Sequence, residues 1–335
     1  LLSDSIQAPT SEVHAIPMRP PCILSQTINM GKRTMHLLLF VLIITLTPNV
    51  SAQRPQIVKE VRSAIAAGDF GRAQKSLDAY TTKDSGYLEA MSWMARGHLA
   101  AKRLNEAESY AGKTQAQVLD LLKTRALDAD GSLPLALGAS IEVQALVMNE
   151  RGQRSEAVAF LAGELKRWHD TSIRTRIQKN LHLISLVGKP APALITKEYL
   201  GAAPPSIASL KGRKVLLFFW AHWCGDCKAQ APILARLRKE VPESKLAIIA
   251  PTQPYGYVEG GNEAPRAEEI GYIKGVFEKH YSRIGGLTVP LSEENFKAWG
   301  SSTSPTMVLI DEGGVVRLYH PGRMSYEELV VALRI

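Results

Sequence analysis

The chain has 335 residues, a net charge of +8, 45% hydrophobic and 21% charged residues. That balance excludes a disordered polyelectrolyte and leaves room for about two folded domains, at roughly 150 residues each. The positive charge is mixed with acids along the chain rather than gathered in a patch, which argues against a nucleic-acid-binding function.

Residues 1–29 show no periodicity and read as an upstream extension. Lys32 and Arg33 then precede an apolar run from Leu37 to Leu46, and Thr47-Pro48-Asn49-Val50-Ser51-Ala52 ends in small residues. A basic start, a short apolar stretch and a small-residue exit give residues 30–52 the pattern of a secretory signal peptide, with Met30 or Met35 as its start. The run falls short of the about 20 apolar residues a membrane span needs, and an uncleaved anchor stands as the alternative. The expected location is extracytoplasmic, in the periplasm. If the signal is removed, Cys22 goes with it, and the exported chain keeps two cysteines, Cys224 and Cys227.

From residue 53 to 187 the apolar spacing is helical. Gly68-Asp69-Phe70-Gly71-Arg72-Ala73, Lys102-Arg103-Leu104-Asn105-Glu106-Ala107 and Gly152-Gln153-Arg154-Ser155-Glu156-Ala157 align as equivalent turns. Ala73 and Ala107 are 34 residues apart, the period of tetratricopeptide helical hairpins. The next interval, to Ala157, is 50 residues, and the first unit has Val61 where the others have Ala95 and Ala145. A tetratricopeptide-like domain that binds a protein partner is one expectation, and a plain helical bundle is the other.

Gly188-Lys189-Pro190-Ala191-Pro192 marks a boundary. Beyond it, strands are predicted at Lys214–Ala221, Lys245–Ala250, Thr306–Asp311 and Val315–Tyr319, with helices over Gly225–Lys239, from Pro265 to Tyr281 and over Tyr326–Leu333. This alternation, closed by a hairpin and a helix, predicts an α/β domain with a mixed sheet over residues 188–335. The Pro251–Pro265 loop, with Tyr255, Gly256 and Tyr257, reads either as a substrate-contacting loop or as a flexible insertion.

Cys224 is predicted at the N-terminus of a helix, where free backbone N–H groups and the helix dipole favour a thiolate. Cys227 follows one turn later. The pair suits disulfide exchange, with Cys224 attacking and Cys227 resolving the mixed disulfide. Half of a zinc site and a structural bridge are the competing readings. Zinc takes four ligands and no second pair is present, and a bridge across so short a loop adds little stability. No metal or other cofactor is expected. His222 reads as a surface histidine at the strand exit or as a proton carrier, Trp220 as core and Trp223 as active-site rim.

These motifs, together with Phe219-Trp220-Ala221-His222-Trp223-Cys224, Pro232, Ser304-Pro305-Thr306 and Val308-Leu309-Ile310-Asp311-Glu312-Gly313-Gly314, resemble the TlpA/ResA-like thioredoxin family over residues 188–335. The resemblance implies a thioredoxin fold and a thiol–disulfide oxidoreductase acting on protein disulfides with a redox partner protein. It also implies Pro305 as a cis-proline beside the cysteines, and Ser304 as a backbone partner for an extended substrate. Trp223, Gly225 and Asp226 would complete the site. The chain departs from the family pattern in having Asp226 between the cysteines, Gln230 where an acid is common, and Phe218 where thioredoxins proper keep an aspartate. The usual carboxylates are therefore absent, and Asp226, partly offset by Lys228, is expected to make the pair less oxidising. A helical interaction protein with a thioredoxin-like scaffold remains an alternative. A thiol peroxidase is weaker, because the peroxidase arrangement before Cys224 is missing.

Overall fold

The computed structural model describes residues 55–334. The predicted signal segment, Cys22 and the initiator candidates lie outside the described residues.

Seven α-helices occupy the described residues before 188: α1 (Gln56–Ala66), α2 (Phe70–Ala79), α3 (Ser85–Ala100), α4 (Leu104–Leu121), α5 (Ser132–Glu150), α6 (Arg154–Arg167) and α7 (Arg174–Ser185). The first six pair as hairpins, α1 with α2, α3 with α4 and α5 with α6. All three turns share one geometry. Gly68, Lys102 and Gly152 take left-handed backbones, with φ of 72°, 58° and 80°. The next N–H in each turn, of Asp69, Arg103 and Gln153, donates at 2.9 Å to the carbonyl five residues earlier. Lys102 therefore holds a conformation that ordinarily favours glycine, because the hairpin on either side imposes it.

Ala73, Ala107 and Ala157, with Val61, Ala95 and Ala145 opposite them, are fully buried where paired helices approach. The longer second interval comes from a longer α4, a longer connection after it and a longer α5. One charge cluster crosses the helical layers. Glu142 of α5 meets Arg96 of α3 at 3.0 Å, and Arg176 and Lys179 of α7 at 3.2 Å each.

The second part is built on a four-stranded sheet in the order β3-β2-β5-β6: β2 (Lys214–Phe219), β3 (Leu246–Ile249), β5 (Thr306–Ile310) and β6 (Val316–Pro321). β2 runs parallel to β3 and antiparallel to β5, and β5–β6 is the predicted hairpin. The helices here are α8 (Gly225–Glu240), α9 (Arg266–His280), α10 (Glu293–Trp299) and α11 (Tyr326–Leu333). The mixed sheet flanked by helices is the expected thioredoxin fold. Side-chain alternation divides the apolar strands between two faces. Leu216, Phe218, Met307 and Leu309 pack with α8, α9 and α11, whereas Val215, Leu217, Phe219, Val308 and Ile310 pack with Phe296 and Trp299 of α10. Phe218, which stands where thioredoxins proper keep an acid, is therefore a core residue on the first face.

Two strands and one α-helix of this part went unpredicted. β1 (Tyr199–Leu200) and β4 (Val289–Pro290) form a two-residue antiparallel pair, and α10 has only seven residues. All three are too short to show a period. β2 also ends at Phe219 rather than Ala221, because Trp220 and the residues after it turn toward α8.

The helical array sits on this sheet domain through α7. His182 meets the Ala298 carbonyl at 3.0 Å and packs edge-on against Tyr319, whose hydroxyl donates to the Trp299 and Gly300 carbonyls. Gly300 ends α10 with φ of 61°, and a Cβ there would lie 2.5 Å from the Lys179 backbone nitrogen. Leu186, just past α7, is buried in the core on the α10 face.

Candidate active site

β2 delivers the chain to the site, and Trp220-Ala221-His222-Trp223 carry it from the strand to the start of α8. Trp220 is fully buried, its indole N–H donating to the Ala250 carbonyl at 3.0 Å. Trp223 is 47% exposed and forms the rim. Cys224 is the N-cap of α8, and its sulfur accepts the Cys227 N–H at 3.0 Å. That contact shows how the helix start solvates sulfur-borne negative charge. Cys224 and Cys227 are joined in a disulfide. Cys227 is fully covered and Cys224 is 3% exposed, so the pair offers solvent only a narrow edge.

Across the sulfurs lies the segment before β5. The Ser304–Pro305 peptide is cis, and the Cys224 sulfur is 3.4 Å from the Ser304 carbonyl oxygen. The Pro305 carbonyl accepts the Gly322 N–H at 2.8 Å, which ties this segment to the end of β6. Gln230 is fully buried, its amide spanning both the N–H and the carbonyl of Met324 at 3.0 Å. It is a bracket between α8 and the chain leading to α11. Asp226 projects to solvent and faces Arg323 at 3.7 Å, so the cation opposite it is Arg323 rather than the neighbouring Lys228. Gly225, which opens α8, has nothing near a Cβ position.

His222 corrects the sequence reading. It is 1% exposed, not a surface residue, and its Nε2 lies 3.1 Å from Oε1 of Glu269. Burial lowers its pKa, against the opposing pull of Glu269, with Lys228 adding to the lowering. With hydrogen on Nε2, the imidazole is the donor to the carboxylate.

Glu269 of α9 is the residue the sequence reading missed. Fully buried, it also accepts the backbone N–H groups of Tyr255 and Gly256, the latter at 2.8 Å. The Pro251–Pro265 loop is therefore tied down rather than a free insertion. Tyr255 packs edge-on against both His222 and Trp223, with Tyr257 and Tyr272 closing the ring around His222. Burial pushes the Tyr255 phenol far above its usual pKa, so it stays protonated. One sequence signal pointed to Glu269. It shares the spacing of Ile273 and Val276, which places it on the apolar stripe of α9.

Comparison with known proteins is consistent with this geometry. The Redoxin family profile matches residues 186–331. The thioredoxin-like protein YneN of Bacillus subtilis is 31% identical over 145 residues, covering 42% of this chain and 75% of that protein. The thiol-disulfide oxidoreductase ResA of Bacillus thuringiensis subsp. konkukian is 27% identical over 143 residues, covering 43% and 74%. Among solved structures, a thioredoxin family thiol:disulfide interchange protein from Chlorobium tepidum aligns at a TM-score of 0.33 and 20% identity, covering 44% and 94%. The fold assignment rests on sheet order and strand direction, not on that score.

Proposed function

The chain belongs to the TlpA/ResA-like thioredoxin family of thiol–disulfide oxidoreductases, and from that premise we propose that it reduces protein disulfides through Cys224 and Cys227. The observation that carries this reading is the Cys224–Cys227 disulfide at the start of α8, facing the Ser304 carbonyl.

In the dithiol form, the Cys224 thiolate attacks one sulfur of a substrate disulfide. A mixed disulfide forms and the first substrate sulfur leaves as a thiolate. Cys227, after losing its proton, attacks the Cys224 sulfur, releases the second substrate thiolate and closes the Cys224–Cys227 disulfide. A dithiol partner protein then restores the reduced pair by the same two exchanges. Ser304 offers backbone pairing to an extended substrate, Pro305 shapes that segment, and Trp223 lines the approach. Gly225 and Asp226 form the spacer that tunes the pair. Export is supported by the signal-like sequence of residues 30–52, and no helix among the described residues is long and apolar enough to cross a membrane. The three hairpins with a shared turn support a tetratricopeptide-like surface for a protein client or partner.

The test is reduction of insulin by the full chain with dithiothreitol as donor. Wild type accelerates the reaction and Cys224→Ser abolishes the acceleration. Full activity in Cys224→Ser overturns the mechanism.

A further inference from the structure

A fully buried carboxylate beside a redox pair needs an account, since burying a charge is costly unless donors surround it. Glu269 sits in the first turn of α9, where the helix dipole favours an anion. Three N–H donors converge on it: His222 Nε2, and the consecutive backbone groups of Tyr255 and Gly256. The two backbone donors are consecutive in the chain and reach the two oxygens of the same carboxylate. Successive N–H groups placed in this manner form an anion-holding concavity.

The three donors come from two chain segments, which are also joined at Trp220, whose N–H donates to the Pro251 carbonyl at 3.1 Å and whose carbonyl accepts the Thr252 hydroxyl at 2.8 Å. His222 lies two residues ahead of Cys224, whereas Tyr255 and Gly256 belong to the loop after β3. That loop is the wall shared by two surface grooves of about 520 and 570 Å³, which meet at Gly256 and Ala264. The ring of Tyr255 stands against exposed Trp223, with centroids 5.6 Å apart. Whatever holds the Tyr255 backbone therefore sets the rim that a macromolecular substrate meets beside the sulfurs.

We propose that Glu269 is a positioning residue for protein substrates, fixing the Tyr255 loop and the His222–Trp223 segment as one unit beside the Cys224–Cys227 pair. The proposal rests on the oxidoreductase reading for its consequence in substrate choice. A small disulfide needs only the sulfur edge, whereas a folded chain must also fit the Trp223–Tyr255 rim. Loss of Glu269 thus discriminates between the two kinds of substrate, which general destabilisation of the fold does not.

The test compares full-length wild type, Glu269→Gln and Glu269→Ala, each checked for a cooperative melt. The reduced proteins react with insulin and, separately, with bis(2-hydroxyethyl) disulfide, and amide hydrogen exchange is read at Tyr255 and Gly256. Glu269→Ala is expected to slow the insulin reaction about tenfold while changing the small-disulfide rate less than about twofold, as a displaced rim predicts. Glu269→Gln keeps one acceptor oxygen and turns an NH2 toward the other backbone N–H, so it is expected to show an intermediate loss of the insulin rate and faster exchange at Tyr255 or Gly256. Equal losses with both disulfides, or unchanged exchange at Tyr255 and Gly256 in Glu269→Ala, overturns the proposal. If Glu269→Ala does not fold, a Glu269→Gln chain with unaltered exchange and an unaltered rate ratio does the same. Failure of the oxidoreductase reading looks different: wild type reacts no faster than dithiothreitol with either disulfide, and amide exchange still decides the positioning role.

Discussion

The Cys224 sulfur lies 3.4 Å from the Ser304 carbonyl oxygen, although the two residues are 80 positions apart in the chain. The helix start that supplies the sulfur and the segment entering β5 therefore form one surface.

Replacing the covered sulfur should stall the reaction halfway. In Cys227→Ser, Cys224 still attacks but nothing closes the exchange, so a mixed disulfide accumulates. Non-reducing electrophoresis and mass spectrometry of the adduct should show it on Cys224. Absence of an adduct on Cys224 would argue against the division of roles.

The spacer carries a modest electrostatic prediction. Asp226 and Arg323 are about half exposed, so solvent screens them and each is worth little. Asp226→Asn removes a negative charge near the Cys224 thiolate, lowering the thiol pKa and stabilising the reduced form. The reduction potential should rise by about 15 mV, or ~0.7 kcal/mol for this two-electron couple. An unchanged or lower potential, measured against glutathione, counts against a role for Asp226.

Acid should destabilise the protein in two windows. His98, His182 and His222 all have pKa values lowered by burial as the leading cause. The unfolded chain therefore binds more protons there, and stability falls as pH drops through about 6.5. Glu142 acts lower. Burial alone would raise its pKa, but Arg96, then Lys179 and the Asn180 amide, bring it down to about 2. Its contribution is present above about pH 4.5 and is lost as pH falls toward 2. Urea titrations from pH 8 to 3 should show both slopes. Glu142→Gln should flatten the lower one and cost about 3 kcal/mol at pH 7, since it strands the cations around it.

The junction between the helical array and the sheet domain has a sensitive point at Gly300. Gly300→Ala would bring a Cβ to within 2.5 Å of the Lys179 backbone, on a left-handed residue. Neither the backbone nor φ gives way cheaply, so a loss of about 2–4 kcal/mol is expected. A melting temperature within about a degree of wild type would mean that α7 moves aside freely.

What the sequence disclosed was what local order encodes. The strand, the Cys224–Cys227 spacing and the helix after it lie within one stretch of chain, and each has its own period. The turns at Gly68, Lys102 and Gly152 were legible for the same reason, since each closes a hairpin by itself. His222 and Glu269 are 47 residues apart, and neither residue type announces its partner. His222 read as exposed because strand exits usually are, and only packing by Tyr255, Tyr257 and Tyr272 buries it. α10 was invisible because seven residues are two turns, yet it carries both the junction and the approach to Ser304.

Leu186 gives the composition change near residue 190 a different meaning. Its side chain follows α7 but fills the core against β2 and β5, and Gly188 and Lys189 are hydrogen-bonded to Val316. The proline-rich stretch thus separates two architectures, and a side chain from before it completes a core that lies after it. An excised fragment starting at residue 188 would lose Leu186 and inherit a hole on the α10 face.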